Sequence, residues 1–261
     1  SLPRGVTLIE LLVVLMILSL ILTAAVKTWD VTLQRTRFEQ TRQKLDALAK
    51  AIVGDPDNIV EGRRVDFGYV GDMGSLPRTL ADLAVPPPVS PPESSRWRGP
   101  YLKGLFSQAP DAYRIDGWGD SIVYNKDSMF VRSYGGVGLM DPTKWITRSF
   151  GWTEREVLRD SVFGRVLDIR GMAPPDSLRP RISVKLEYPR AGKAYRDSVG
   201  VGPQGEFWFR DIPQGNHLLT VSYWSSIMPP VCDTVLKYIT VYPRIGAKDI
   251  EVRMGVDWSS P

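Results

Sequence analysis

A run of apolar residues near the N-terminus constrains this chain more than any other feature. Residues 6–26 are 21 consecutive positions in which Glu10 carries the only charge. A helix of that length rises about 30 Å, which matches the hydrocarbon core of a bilayer. The segment therefore predicts a membrane-spanning helix.

The apolar run continues without a break into an amphipathic stretch. No proline or glycine occurs between Val6 and Val53, whereas a cleaved secretory signal is shorter and ends at a small-residue cleavage site. Apolar residues recur every seven positions, which predicts one continuous helix of about 70 Å that ends at Gly54 and Pro56. Its outer half would lay this stripe on a globular domain: Val31, Phe38, Leu45 and Ile52, widened by Leu48 and Ala49.

Glu10 is an acid placed inside the apolar run. A carboxylate well inside a bilayer costs about 2.5–3.5 kcal/mol on insertion scales, so such a residue usually has a partner or a function. The simpler alternative is a side chain that reaches the headgroups from a position near the interface. Arg4 precedes the run, which favours an N-terminus in the cytoplasm and the rest of the chain across the membrane.

The start of the apolar run carries a specific motif. Its residues are Gly5-Val6-Thr7-Leu8-Ile9-Glu10-Leu11-Leu12-Val13-Val14. They resemble the processing site of type IV pilins and type II secretion pseudopilins, in which a prepilin peptidase cuts after the glycine and methylates the new N-terminus. The resemblance implies a leader at residues 1–5, processing at Gly5 and Val6, and assembly through Glu10, which would pair with a neighbouring subunit's terminal amine. Val6 departs from the family pattern, which usually has phenylalanine.

Residues 54–150 contain a series of short pieces: Gly68–Leu83, a proline-rich loop at Pro86–Ser95, Arg98–Leu102, Asp116–Tyr124 and Ser128–Gly138. Alternation on both sides of Asn125-Lys126-Asp127 predicts a β-hairpin. The order of the pieces is similar to the globular domain of the major, G-type pseudopilin. Asp116, Trp118 and Gly119 match a turn of that family in which Gly117 replaces the usual proline.

The glycine-rich loop that follows the hairpin concerns cofactors. In the family that the chain resembles, this loop often binds calcium, which needs six to eight oxygen ligands. The stretch supplies only Ser133 and Asp141. We therefore expect no cofactor, with these two residues as weak calcium candidates and a plain turn as the alternative. One histidine and one cysteine exclude a His/Cys metal site within a single chain.

The C-terminal part has the alternation of an all-β domain. Thr153 and Glu156 form a predicted capping box in a linker at residues 151–161. Residues 162–261 predict an antiparallel β-sandwich, and Gly205–His217 resembles the transthyretin-like or carboxypeptidase-regulatory-like sandwich, which implies a fold and no peptidase activity. The candidate strands are Val162–Ile169, Arg181–Tyr188, Glu206–Arg210, His217–Trp224, Val235–Val241 and Asp249–Met254.

Few residues of the sandwich suggest chemistry. Trp208 is interpreted either as an outward contact for a glycan or protein, or as buried against a neighbouring domain. His217 is expected to be an ordinary strand or turn residue, because no nucleophile motif accompanies it. The net charge is +4, and its basic residues alternate with acids, so nucleic-acid binding is not indicated.

The sequence as a whole predicts an α+β fold. A long N-terminal helix (residues 6–53, of which 6–26 span the membrane) packs on a small antiparallel sheet, followed by a separate β-sandwich. The predicted function is a structural subunit of a pseudopilus or pilus-like filament, not an enzyme. Its partners would be other pilin subunits, the prepilin peptidase and an inner-membrane assembly platform. A minor or tip subunit whose sandwich binds a surface, glycan or secreted protein is the alternative, and an anchored enzyme has almost no sequence support.

Overall fold

The computed structural model describes residues 8–88, 95–102, 111–225 and 232–258. These residues form one long helix, several small sheets and a β-rich C-terminal region, which confirms the predicted α+β class. Helix α1 runs from Leu8 to Val53 without interruption over 46 residues, or about 69 Å at the standard rise. Among the described residues, α1 alone is long and apolar enough to cross a membrane.

Helix α1 is buried only near its C-terminal end. Val31 and Phe38 are 69% and 42% exposed, so the prediction that the whole seven-residue stripe packs on the globular part is wrong for its first half. The reason is that the core of the first globular unit buries side chains of the helix only from Thr41 onward. The residues buried there are Thr41, Leu45, Leu48, Ala49 and Ala51–Val53.

Helix α1 ends at Val53, directly before Gly54, as predicted. Gly54 has a φ of +83° and its N–H donates to the carbonyl of Lys50 at 2.7 Å. A Cβ at this position would lie 2.4 Å from the carbonyl oxygen of Asp66. Only glycine therefore fits both the left-handed conformation and the close approach of the following loop.

The first globular unit, residues 54–158, packs on the end of α1. Its main sheet is an antiparallel β3-β4-β5 meander, and the pairing of Tyr124 with Val131 confirms the predicted hairpin. Its core includes Leu45, Leu48 and Ile52 of α1. The elements of this unit are β1 (Ile59–Val60), β2 (Arg63–Arg64), α2 (Gly68–Met73), β3 (Val123–Asn125), β4 (Phe130–Ser133), β5 (Ile146–Ser149) and α3 (Glu154–Leu158). The capping box of Thr153 and Glu156 opens α3 as predicted.

The β-sandwich, residues 160–258, has a core of its own between two sheets. One sheet has the order β11-β10-β7-β8 and the other β12-β6-β9. The inward side chains alternate along each strand, as in Ile182, Val184 and Leu186 of β7. The strands are β6 (Asp160–Leu167), β7 (Ile182–Arg190), β8 (Lys193–Val199), β9 (Glu206–Ile212), β10 (Gly215–Trp224), β11 (Cys232–Val241) and β12 (Ala247–Arg253).

Two features of the sandwich differ from the sequence prediction. Strand β8 was not predicted, because it is an edge strand with mostly exposed side chains and lacks an apolar alternation. Strand β12 pairs with β6 in parallel, so the sandwich is not wholly antiparallel. The chain crosses from one sheet to the other between β11 and β12, and this crossing lets β12 run in the same direction as β6.

Candidate functional site

The first part of α1 presents an uncovered apolar surface. Large side chains from Leu8 to Val26 are exposed along the whole run, and none of the most apolar window is buried. The hydroxyls inside the run bond to the helix itself, because Ser19 donates to the carbonyl of Met16 and Thr23 to that of Ser19, both at 2.8 Å. Such internal bonding satisfies polar groups where no water is present. This surface needs a partner of lipid or of other helices.

Glu10 lies in this exposed part, near the beginning of the described helix, and its side chain is on the helix exterior. Gly5 and Val6 lie outside the described residues. The structure therefore places the assembly candidate on an accessible helix face. The roles of Gly5, Val6 and Glu10 stay predictions.

The turn at residues 116–119 holds the middle of α1. The amide of Gly117 donates to the hydroxyl of Thr41 at 2.8 Å, and the indole of Trp118 donates to Gln34 at 2.9 Å. A Cβ on Gly117 would lie 2.5 Å from the carbonyl oxygen of Arg37. Gly117 is thus the residue at which the turn backbone touches the helix.

Charged side chains reinforce this anchorage further along α1. The ammonium of Lys44 donates to the carbonyls of Ala112 and Ile115 at 2.8 and 2.5 Å. Burial lowers the pKa of Lys44, and the charge of Asp116 partly opposes that shift. Asp46 forms an ion pair with Arg148 of β5 at 2.7 Å.

The β-sandwich reaches back to the C-terminal end of α1. The last helical carbonyl, of Val53, accepts hydrogen bonds from the Arg64 guanidinium at 2.7 Å and from the amide side chain of Gln214 at 2.9 Å. Gln214 is fully buried and comes from the turn between β9 and β10. The backbone N–H of Gln214 also donates to the carbonyl of Val157. One residue of the sandwich therefore caps α1 and fixes α3.

Other contacts join the first globular unit to the sandwich, and we call this boundary the seam. The amide of Gly192, between β7 and β8, donates to the carbonyl of Met73 at 2.7 Å. Arg244 pairs with Glu156 at 2.6 Å, and this hydrogen bond lowers the pKa of Glu156 to about 2. The seam combines backbone and side-chain hydrogen bonds. The sequence prediction of a separate sandwich missed it, because a glutamine in a turn, such as Gln214, gives no sequence signal of a distant partner.

The two calcium candidates occupy different environments. Ser133 is buried, donates to the buried Asp116 at 2.5 Å and accepts from the amide of Gly135. Asp141 is on the surface and accepts from the N–H and hydroxyl of Thr143. Within the described ranges no group of three or more His, Cys, Asp or Glu residues could hold a metal ion. The expectation of no cofactor, with these two residues as weak calcium candidates, stays untested.

His217 and Trp208 lie in opposite settings. His217 is buried, its Nε2 donates to the carbonyl of Pro213 at 2.7 Å, and burial lowers its pKa to about 4. It therefore has the setting of a structural histidine. Trp208 is 54% exposed on the outer face of β9, with its ring against Phe163 and under the Arg210 guanidinium. Of the two interpretations of Trp208, the outward orientation is the one observed.

Comparison with known proteins identifies the N-terminal segment. A family model for the prokaryotic N-terminal methylation motif matches residues 3–26, which include the beginning of α1. The chain has the N-terminus of a type IV pilin-like protein. Such a motif indicates a structural protein that a prepilin peptidase processes. Together with the apolar helix it fits a single-pass protein anchored in a membrane.

Comparisons of the whole chain with known proteins give weaker similarities. No curated protein matches it. Among solved structures, a candidate carbohydrate-binding protein from Pseudomonas aeruginosa is similar at 13% identity with a TM-score of 0.26; the match covers 38% of this chain and 90% of that one. A likeness at this TM-score supports no conclusion about function.

Proposed function

We propose that this protein is a structural subunit of a type II secretion pseudopilus or a type IV pilus-like filament. Prepilin peptidase would cut between Gly5 and Val6, and the mature chains would assemble through α1 into homo- or hetero-oligomeric filaments. The single observation that carries the proposal is the methylation motif at residues 3–26, continuous with a helix whose first half is left exposed by the described residues. An inner-membrane platform would collect the subunits, with the N-terminus in the cytoplasm.

The physics of the exposed helix supports bundling. Apolar side chains from Leu8 to Val26 can pack against the same surface of other subunits when the chain leaves the lipid. Glu10 would then pair with the terminal amine of a neighbour. Opposite charges about 4 Å apart interact by about 4 kcal/mol at an effective dielectric of 20, against a desolvation penalty of several kcal/mol per ion. The pair would therefore set register, and helix packing would supply most of the cohesion.

The proposal is tested by replacing Glu10 with leucine in cells that assemble the filament. We expect filament yield to fall by about tenfold or more, the factor that 1.4 kcal/mol of lost selectivity gives, while the protein still reaches the membrane. The matched control is Glu39→Leu, which removes an exposed acid from α1 beyond the apolar run. Assembly of the Glu10→Leu protein at the wild-type rate would contradict the proposed role.

Processing is tested on the same material by mass spectrometry of the mature N-terminus. We expect a chain that begins at Val6 and carries one added methyl group. Retention of residues 1–5 in a cell with an active prepilin peptidase would count against the filament role and would favour an ordinary membrane anchor.

A minor or tip subunit is the second candidate, and the outer surface of the sandwich is the observation that favours it. Trp208, Trp224 and Tyr238 are all more than half exposed, and aromatic side chains of this kind are common in recognition surfaces. In this version the sandwich would bind a surface, a glycan or a secreted protein. Antibody labelling of the sandwich along whole filaments would exclude a subunit restricted to the tip.

A further inference from the structure

The loop between β4 and β5, residues 134–145, lies on the membrane side of the first globular unit. Strand β5 runs along α1 away from the membrane, since Trp145 lines a groove with α1 from Asp30 to Phe38, whereas Arg148 pairs with Asp46. The loop precedes β5 and therefore extends from the end of the sheet that is nearer the apolar run. It forms one wall of a groove whose other wall is α1 from Asp30 to Phe38.

The level of this groove can be estimated along the helix axis. Residues 6–26 fill the hydrocarbon core, and Asp30 lies four residues, or about 6 Å, beyond Val26. The headgroup region adds about 5–8 Å on each side of the core. The lower edge of the groove is therefore at the level of the lipid headgroups when α1 spans the membrane.

The tip of the loop carries two uncovered apolar side chains. Leu139 is 71% exposed and Met140 is 94% exposed. The backbone that presents them is braced from both sides, because the Trp145 indole donates to the carbonyl of Gly138 at 2.9 Å and the Asp141 carboxylate accepts from the amide of Thr143 at 3.1 Å. The exposure is thus a feature of a bonded turn.

The loop and the segment of α1 just beyond the apolar run match the composition of a membrane interface. Trp29, on α1 just beyond the apolar run, is 75% exposed, and tryptophan is enriched at headgroup level. Residues 27–37 and 134–145 together contain four basic and two acidic side chains, a balance that favours anionic headgroups. The basic residues are Lys27, Arg35, Arg37 and Lys144, and the acidic ones are Asp30 and Asp141.

We infer that the Leu139–Met140 tip inserts into the outer interface of the bilayer in which α1 is anchored. The subunit would then contact the membrane at two places, and the first globular unit would have a fixed tilt and height before assembly. The occupant is the lipid surface, because the loop that carries the tip lines a groove with α1 from Asp30, four residues beyond the apolar run. The inference requires only that α1 spans a membrane, so its failure would leave the filament proposal untouched.

The test uses the full-length chain in vesicles without any assembly machinery. In a Cys232→Ser background, Met140→Cys is labelled with an environment-sensitive fluorophore. The matched control is Met172→Cys in the sandwich, a methionine that is 63% exposed. The sandwich contacts α1 at Val53, which lies about 40 Å beyond Val26 along the helix. Quenching is measured with lipids that carry a spin label near the headgroup, in neutral vesicles and in vesicles that contain phosphatidylglycerol.

We expect a blue shift and lipid quenching at position 140 in both kinds of vesicle, stronger with the anionic lipid, and neither effect at position 172. Introducing Leu139→Asp beside the label should abolish the quenching and leave thermal unfolding unchanged. Equal quenching at 140 and 172 would overturn the inference. So would a blue shift that lacks lipid quenching and grows with protein density, because a second copy would then be covering the tip.

Discussion

The two parts of helix α1 are built from similar apolar residues but differ in how far those residues are buried. The first part, up to Val26, exposes every large side chain, whereas the last part buries Leu45, Leu48 and Ile52 in the core of the first globular unit. The difference shows that an apolar pattern predicts that a helix face will be buried, but does not identify the partner that buries it. For the last part the partner is the chain itself, whereas the described residues leave the first part exposed.

The largest effect that separates the two parts is expected from Leu48→Ala. The side chain is fully buried, so its truncation should lower the free energy of unfolding by about 2–5 kcal/mol through lost burial and a residual cavity. Leu12→Ala, on the exposed part, is the matched control and should change it by less than about 0.5 kcal/mol. Denaturation in detergent micelles, followed by tryptophan fluorescence, measures both. Equal losses would remove the contrast between the two parts.

The stability of the protein is expected to depend on pH through the buried side chain of His217. Burial lowers its pKa from 6.5 to about 4, so the native state binds fewer protons than the unfolded state in that interval. The contribution of neutral His217 to the free energy of unfolding is fully present above about pH 6.5. It should decrease as the pH falls towards 4, by up to about 3 kcal/mol. Asp160 acts in the opposite direction, because desolvation raises its pKa to about 6 and the native state gains stability as the pH falls through that value.

The contribution of His217 is isolated by comparing the wild-type protein with His217→Gln at pH 7 and pH 4.5. The effect of Asp160 is common to both proteins, so the difference between their unfolding free energies should shrink as the pH falls. A constant difference would mean that the buried ring titrates normally in the native state.

Gly117 marks the place where the turn of the first globular unit meets α1. Gly117→Ala should destabilise the protein by about 1–3 kcal/mol, because its Cβ would lie 2.5 Å from the carbonyl oxygen of Arg37. Gly119→Ala, in the same turn, has open space around its Cβ but a φ of +93°, so it reports backbone strain alone at about 1 kcal/mol. Unfolding midpoints of the two variants give the comparison. If Gly117→Ala destabilises the protein less than Gly119→Ala does, the turn is not in close contact with Arg37. The contact between the first globular unit and α1 would then begin after that residue.

The smallest effect is expected at the end of the helix, from Gln214→Leu. The Val53 carbonyl keeps its bond to Arg64 when the amide is lost, and the Phe67 carbonyl keeps its bond from Gly71. The loss should therefore be about 1 kcal/mol, the net value of a hydrogen bond. Arg64→Leu is the companion variant, and its larger loss would show in the same denaturation curves. If Gln214→Leu instead unfolds the sandwich, the seam contributes more to the stability of the protein than the hydrogen bonds of Gln214 account for.

Several elements could be predicted from sequence because their signals are local. The absence of proline and glycine up to Val53 fixed the continuity of α1, and the spacing of Thr153 and Glu156 fixed the start of α3. Strand β8 escaped prediction, because an exposed edge strand needs no apolar alternation. The parallel pairing of β12 with β6 escaped for another reason, since strand direction depends on which sheet the chain crosses to.

The sequence by itself determined the long helix, its apolar run and the motif around Gly5 and Glu10, because helix propensity and membrane length are properties of consecutive residues. Only the tertiary structure decided which part of α1 is buried, that Gln214 reaches Val53 across 161 positions, and that the loop of residues 134–145 lines a groove with α1 from Asp30 to Phe38. These contacts join residues far apart in the chain. They depend on how the first globular unit and the sandwich pack on the end of one helix.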